Sequence, residues 1–95
     1  MSLLFEWDPA KAEAKLTKHG VSFEEAMTVF ADPLARIFPD EEHSVEESRE
    51  IIIGHSARQQ LIMVCFTGIS DQVRIFSARK ATRVERKDYE ENVGS

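Results

Sequence analysis

The chain has 95 residues, of which 42% are hydrophobic and 31% charged, and a formal net charge of −5. That length predicts a single domain over residues 1–95 with one modest core, and it excludes a deep cleft for a large cofactor. The lone cysteine, Cys65, excludes an intramolecular disulfide framework and a CxxC zinc site, and no stretch approaches the ~20 apolar residues that cross a bilayer.

Leu3–Trp7 is a short apolar stretch that suits an edge strand. It lacks a basic leader and turns charged at once, so a cytoplasmic protein with no signal peptide and no membrane partner is expected. Asp8-Pro9 then opens a helix: Asp8 can cap the free amides and Pro9 fits the first helical position. The helix is predicted to run to Lys18 or His19 and to stop at Gly20. Ser22 and Glu25 match a capping box, and Phe23, Ala26, Met27 and Phe30 follow on one helical stripe until Asp32-Pro33.

Strands are expected at Leu34–Phe38, Glu50–His55, Leu61–Thr67 and Gln72–Arg79, with an acidic loop over Pro39–Ser48. The fully apolar Leu61–Thr67 reads as a central strand covered on both faces. The connections 56–60 and 68–71 suit hairpins, which predicts an antiparallel sheet. Thr82 with Glu85 repeats the capping box and opens a last, polar helix to about Glu91. The order β-α-α-β-β-β-β-α is that of an α+β domain: two N-terminal helices on one face of a twisted antiparallel sheet, and a short C-terminal helix.

The net charge hides a bipolar chain. Residues 39–50 set Arg49 against six carboxylates, whereas Arg74–Lys87 holds six basic side chains against Glu85 alone. Strand alternation places Arg74, Phe76 and Ala78 on one face, and Val73, Ile75, Ser77 and Arg79 on the other, unless the strand twists or bulges there. Arg79 and Lys80 beside the start of the last helix form a ready anion site, with Arg83 following on that helix. Lys11, Lys15 and Lys18 form a lysine stripe on the first helix, and His19 sits at its C-terminus, where the helix dipole favours the imidazolium. Each of these groups also has a plain reading as a solvated, charge-balancing surface. His19, His43 and His55 have no metal-ligand spacing, so no metal and no cofactor are expected; Trp7 and Phe5 read as core aromatics.

The run Trp7-Asp8-x-x-Lys11-Ala12, Lys18-His19-Gly20-Val21-Ser22-Phe23-Glu24-Glu25-Ala26 and Asp32-Pro33 resembles the BrnT toxin family. So do His43-Ser44, Glu47, Arg49, Ile53-Gly54, Ser56, the block Arg74-Ile75-Phe76-Ser77-Ala78-Arg79-Lys80-Ala81, and Glu85 with Tyr89. Lys15 departs from the Asn usual in that family.

The resemblance implies a RelE-like fold and the toxin of a type II toxin–antitoxin pair, an endoribonuclease that inhibits translation. It also implies neutralisation by a BrnA-type ribbon-helix-helix antitoxin, contact with operator DNA only through that antitoxin, and higher-order toxin–antitoxin oligomers. RNA cleavage through 2′-hydroxyl attack needs no metal, because the nucleophile is tethered beside its phosphate. For that chemistry the candidates are Arg74 and Arg79 for charge stabilisation, Lys18 beside them, and His19 for proton transfer, with His43 and Glu47 as alternates. Lys11, Lys15, Lys80 and Arg83 are the candidate RNA contacts. The rival readings are a non-catalytic nucleic-acid-binding or regulatory module using the same basic segment, and a small interaction domain that associates through its opposed charges.

Overall fold

A computed structural model describes residues 3–43 and 48–93, apart from the side chains of His43 and Val93. Its elements are β1 (Leu4–Glu6), α1 (Pro9–His19), α2 (Phe23–Val29), β2 (Arg36–Pro39), a 3-10 turn (Glu41–His43), β3 (Glu50–His55), β4 (Leu61–Ile69), β5 (Gln72–Lys80) and α3 (Arg83–Val93). The order is the one read from the sequence, and the local signals work as their chemistry requires. The Asp8 carboxylate accepts from the Ala10 amide at 2.9 Å, and Gly20 ends α1 at φ 73°, a left-handed conformation that glycine adopts without strain.

The two capping boxes behave differently. Thr82 and Glu85 are reciprocal: the Thr82 amide donates to Glu85 Oε1 at 2.8 Å, and the Glu85 amide donates to Thr82 Oγ1 at 3.2 Å. At α2 only half of the box forms. Ser22 Oγ accepts from the Glu25 amide at 3.0 Å, but the Glu25 carboxylate is buried and takes a hydrogen bond from Ser56 Oγ at 2.7 Å. A buried carboxylate needs a partner more than an exposed helix end needs a second cap, so the long-range bond prevails.

The sheet runs β1-β5-β4-β3-β2. The three pairs from β2 to β5 are antiparallel, but β1 pairs with β5 in parallel, Phe5 opposite Val73, so the sheet is mixed and the all-antiparallel expectation is corrected. Short turns announce hairpin pairings; β1 is followed by two helices and has no such signal. Leu61–Val64 of β4 is buried on both faces, as its composition required.

One face is dry. Phe23, Ala26 and Val29 of α2, with Val21 before it, pack on Ile52, Ile62, Val64, Phe66, Val73, Ile75 and Ala78. Trp7 and Phe5 join this core, Trp7 edge-to-face with Phe23 at 5.8 Å between ring centroids, which settles both as core aromatics. Only Ala12 of α1 packs there; Lys11, Ala14 and Lys15 line a pocket on the other face, so α1 flanks β5 and does not lie flat beside α2. On that second face α3 covers part of the sheet, with Tyr89 against Ile53, Leu61 and Met63. Gly54 marks a close approach: a Cβ there would stand 2.8 Å from that of Ala35. Among the described residues, no helix is long and apolar enough to cross a membrane.

Candidate functional site

The site is created by an irregularity in β5. Cys65 of β4 pairs with Ser77, whereas its neighbour Phe66 pairs with Ile75, so Phe76 is an extra residue. The bulge shifts the alternation by one. Ala78 joins Val73 and Ile75 in the core, while Phe76, Ser77 and Arg79 all line the pocket on the opposite face. The strict alternation that set Arg74 and Arg79 on opposite faces is thereby corrected. Arg74, between the buried Val73 and Ile75, now shares a face with Arg79.

Sharing a face does not bring the two arginines together. Arg74 stands near the β1 end of the strand with Glu6 at 3.6 Å, roughly 15 Å along β5 from Arg79. Arg79 instead meets the lysines of α1. It lines a pocket of about 450 Å³ together with Lys11, Lys15, Arg49, Asp40 and Phe76. Lys18 is exposed and does not line this pocket, and Lys80 and Arg83 are exposed around the turn into α3. Glu47 and the side chain of His43 lie outside the described residues.

Arg79 is fixed in orientation. Its Nη1 donates to Glu85 Oε1 at 2.7 Å and to the Lys80 carbonyl at 3.2 Å, and Nη2 donates to Glu85 Oε2 at 2.8 Å. This bidentate pair raises the Arg79 pKa and holds the Glu85 carboxyl down at about 2. Three of the five guanidinium N–H groups are thus engaged. The Nε–H and the second Nη2–H, adjacent along one edge of the plane, have no partner among the described residues. That edge matches two oxygens of a phosphate.

His19 does not line the pocket; it lies at the end of α1, within electrostatic reach of the pocket cations Lys15 and Arg79 and of Lys18. Partial burial, then the charges of Lys18, Lys15 and Arg79, push its pKa below the ordinary 6.5. The helix dipole alone led to the opposite expectation, a favoured imidazolium; desolvation first, and then the nearby full charges, outweigh the half-charge of a helix end. A neutral imidazole at pH 7 can accept a proton.

Four charged or aromatic pocket residues are absent from the sequence-based candidates: Asp40, Glu42, Arg49 and Phe76. The Arg49 guanidinium carbon stands 3.9 Å from the Phe76 ring centroid. Asp40 is 7% exposed, and its Oδ2 accepts from Cys65 Sγ at 3.3 Å. Burial and this contact push the Cys65 thiol up to about 11, so it is an inert donor at neutral pH. The pairing of Pro39 with Glu50 sets Asp40 opposite Arg49, and the Asp40 amide donates to the Arg49 carbonyl at 2.9 Å. Among the described residues, no group of three or more His, Cys, Asp or Glu side chains is arranged to hold a metal ion.

Comparison with known proteins agrees with this architecture. The sequence profile of a family described as the ribonuclease toxin BrnT of type II toxin–antitoxin systems matches residues 7–85. Among solved structures, the chain is similar to the 1.1 Å crystal structure of the Brucella abortus ribonuclease toxin BrnT. The TM-score is 0.63 at 23% sequence identity, over 87% of this chain and 99% of that one, a likeness of fold. A search of curated protein sequences found no match.

Proposed function

The chain belongs to the BrnT family of ribonuclease toxins of type II toxin–antitoxin systems, and from that premise we propose that the pocket beside β5 cleaves RNA by attack of a ribose 2′-hydroxyl on the adjacent phosphate. The observation that carries this reading is the Arg79 guanidinium, locked by Glu85 with a donor edge to spare in a pocket that also holds Lys11 and Lys15. An RNA supplies its own nucleophile, so the protein has only to move protons and stabilise charge.

In this mechanism neutral His19 accepts the 2′-hydroxyl proton while the oxygen bonds to phosphorus. Arg79 and Lys15 stabilise the extra charge on the phosphorane oxygens. The 5′-oxygen leaves, takes a proton from water, and the products are a 2′,3′-cyclic phosphate and a 5′-hydroxyl. No step requires a metal ion. Lys11 holds a neighbouring phosphate, and the exposed Lys18, Lys80 and Arg83 track the strand outside the pocket. Arg74 is left out of the chemistry because of its distance and its Glu6 partner.

Cutting cellular RNA would inhibit translation and arrest growth. A BrnA-type ribbon-helix-helix antitoxin would neutralise the toxin and carry the complex to operator DNA, with oligomers built through the antitoxin.

The test is expression of the wild type and Arg79→Ala in a bacterial host, with RNA integrity followed in parallel. Wild type should arrest growth as RNA fragments accumulate. Arg79→Ala should lose roughly 10²–10³ in cleavage rate and relieve the arrest while remaining folded. Unchanged toxicity in that variant, or RNA binding without cutting by the wild type, would overturn the reading.

A further inference from the structure

The described residues hold three serines that are not exposed, and two of them use the hydroxyl to build the fold. Ser22 Oγ accepts from the Glu25 amide at 3.0 Å to cap α2, and Ser56 Oγ donates to the Glu25 carboxylate at 2.7 Å. Ser77 is the exception. It is half-buried, it lines the pocket beside Arg79, and its hydroxyl has no hydrogen-bond partner among the described residues. A donor that the fold does not use is available to whatever enters the pocket.

The bulge puts it there. In unbroken alternation Ser77 would follow Val73 and Ile75 into the core, where a hydroxyl is costly to bury. The extra residue Phe76 turns it to the pocket and leaves Ala78 to take the core position. Ser77 and Arg79 then stand on one face two residues apart, about 7 Å along the strand, a separation that one phosphate can bridge with a hydrogen bond at each end.

We propose that Ser77 is a further catalytic residue of this pocket, its hydroxyl donating to one of the two non-bridging oxygens of the scissile phosphate while the free edge of Arg79 spans both. This rests on the RNA-cleaving reading of the pocket and adds to it the group that tells the two oxygens apart.

The chemistry has a use for such a donor. The two free N–H groups of Arg79 supply one hydrogen bond to each non-bridging oxygen. As the 2′-oxygen bonds to phosphorus, both oxygens gain charge and can accept again. Ser77 gives one of them a second bond that strengthens as that charge develops, and it keeps its proton throughout. The phosphate is thereby held in one hand. Sulfur in place of the oxygen that Ser77 meets, a weak acceptor, loses this bond, whereas sulfur in place of the other oxygen leaves it intact.

The test uses the full chain in single-turnover reactions. The substrate is a 2′-O-methyl oligonucleotide with one ribose at a linkage that the wild type cuts, carrying either phosphorothioate diastereomer or ordinary phosphate there. Wild type should cut one diastereomer about tenfold more slowly than the other. Ser77→Ala should cut the ordinary substrate about 10–100-fold more slowly, with the ratio of the diastereomers close to one and an unchanged melting temperature. Ser77→Thr keeps the hydroxyl and suits a strand, so it should restore both rate and ratio. Binding of the fully 2′-O-methylated oligonucleotide should weaken only about threefold in Ser77→Ala, because the oxygen carries less charge before attack.

A Ser77→Ala rate equal to wild type would overturn the proposal. So would a loss that Ser77→Thr, folded, does not restore, which gives Ser77 a packing role. A diastereomer ratio that survives in Ser77→Ala would overturn it as well, since the distinction then belongs to Arg79 or Lys15. Should the wild type cut no RNA, the nuclease reading falls and binding decides alone: the threefold loss would keep Ser77 as a phosphate contact, and equal binding would remove it.

Discussion

Ile52, Ile62 and Val64 point to one face of the sheet, and Ile51, Met63 and Cys65, their neighbours in the same two strands, point to the other. The first set lies under α2 in a core with Phe23 and Val29 at zero exposure. The second set is only partly roofed: Tyr89 of α3 covers Met63, while Ile51 and Cys65 floor a pocket walled by charges. The α2 face therefore carries the stability, and the opposite face gives up apolar closure for a place where anions can sit. What separates them is one inserted residue. Phe76 turns Ser77 and Arg79 toward the pocket and returns Ala78 to the core.

Substitutions that address one face at a time can break this division. The largest effect belongs to the dry face. Phe23→Ala removes a fully buried ring that also contacts Trp7, at a cost of about 3–5 kcal/mol. Against a total stability of about 5–15 kcal/mol, urea unfolding should show a midpoint far below that of wild type. A midpoint close to wild type would refute the assignment of stability to α2.

His19→Gln addresses the other face. Cleavage should fall roughly a hundredfold with the fold intact. The wild-type rate should rise with pH along a limb whose midpoint lies below 6.5, because the lowered pKa leaves His19 neutral and able to accept a proton well into mildly acidic solution. The variant should lack that limb in a pH–rate profile, and retention of the limb would assign the proton transfer elsewhere.

Glu85→Gln is the mildest. Gln still completes the Thr82 cap but gives up the charge that holds Arg79, and a partly exposed ion pair contributes about 1 kcal/mol or less. A melting temperature lower by a few degrees at pH 7 is expected. The folded Glu85 pKa of about 2 lies below its ordinary 4.5, so its contribution is complete above about pH 4.5 and fades as the pH falls toward 2. Wild type and variant should therefore converge in thermal melts at low pH, and a constant gap would contradict the ion-pair account.

These contrasts follow how much of the molecule was legible from sequence. Caps, hairpins and apolar stripes are local, and the three helices and all five strands emerge from Asp8, Gly20, Ser22, Thr82, the apolar stretch Leu3–Trp7 and the turns between strands. The parallel seat of β1 is not local, and neither is the burial that draws Glu25 away from its cap. The bulge did leave a trace: the core residues Val73, Ile75 and Ala78 step by two and then by three, which a steady alternation overlooks. Charge and position singled out Arg79, Lys11 and Lys15, which the fold brings to one pocket, and His19, which stands outside its lining. Asp40, Arg49 and Phe76 were passed over because an acidic loop and an apolar strand conceal a pocket that exists only once they pair.

The central claim is that Arg79, held by Glu85, stabilises a metal-free transesterification. The most direct test is the cleavage rate of a synthetic RNA in EDTA by purified wild type and Arg79→Lys, with the fragment ends identified. The account predicts 2′,3′-cyclic phosphate ends from the wild type, and a rate roughly a hundredfold lower in Arg79→Lys, which keeps the charge but loses the planar donor edge. Cleavage abolished by EDTA, or an Arg79→Lys rate equal to wild type, would contradict it.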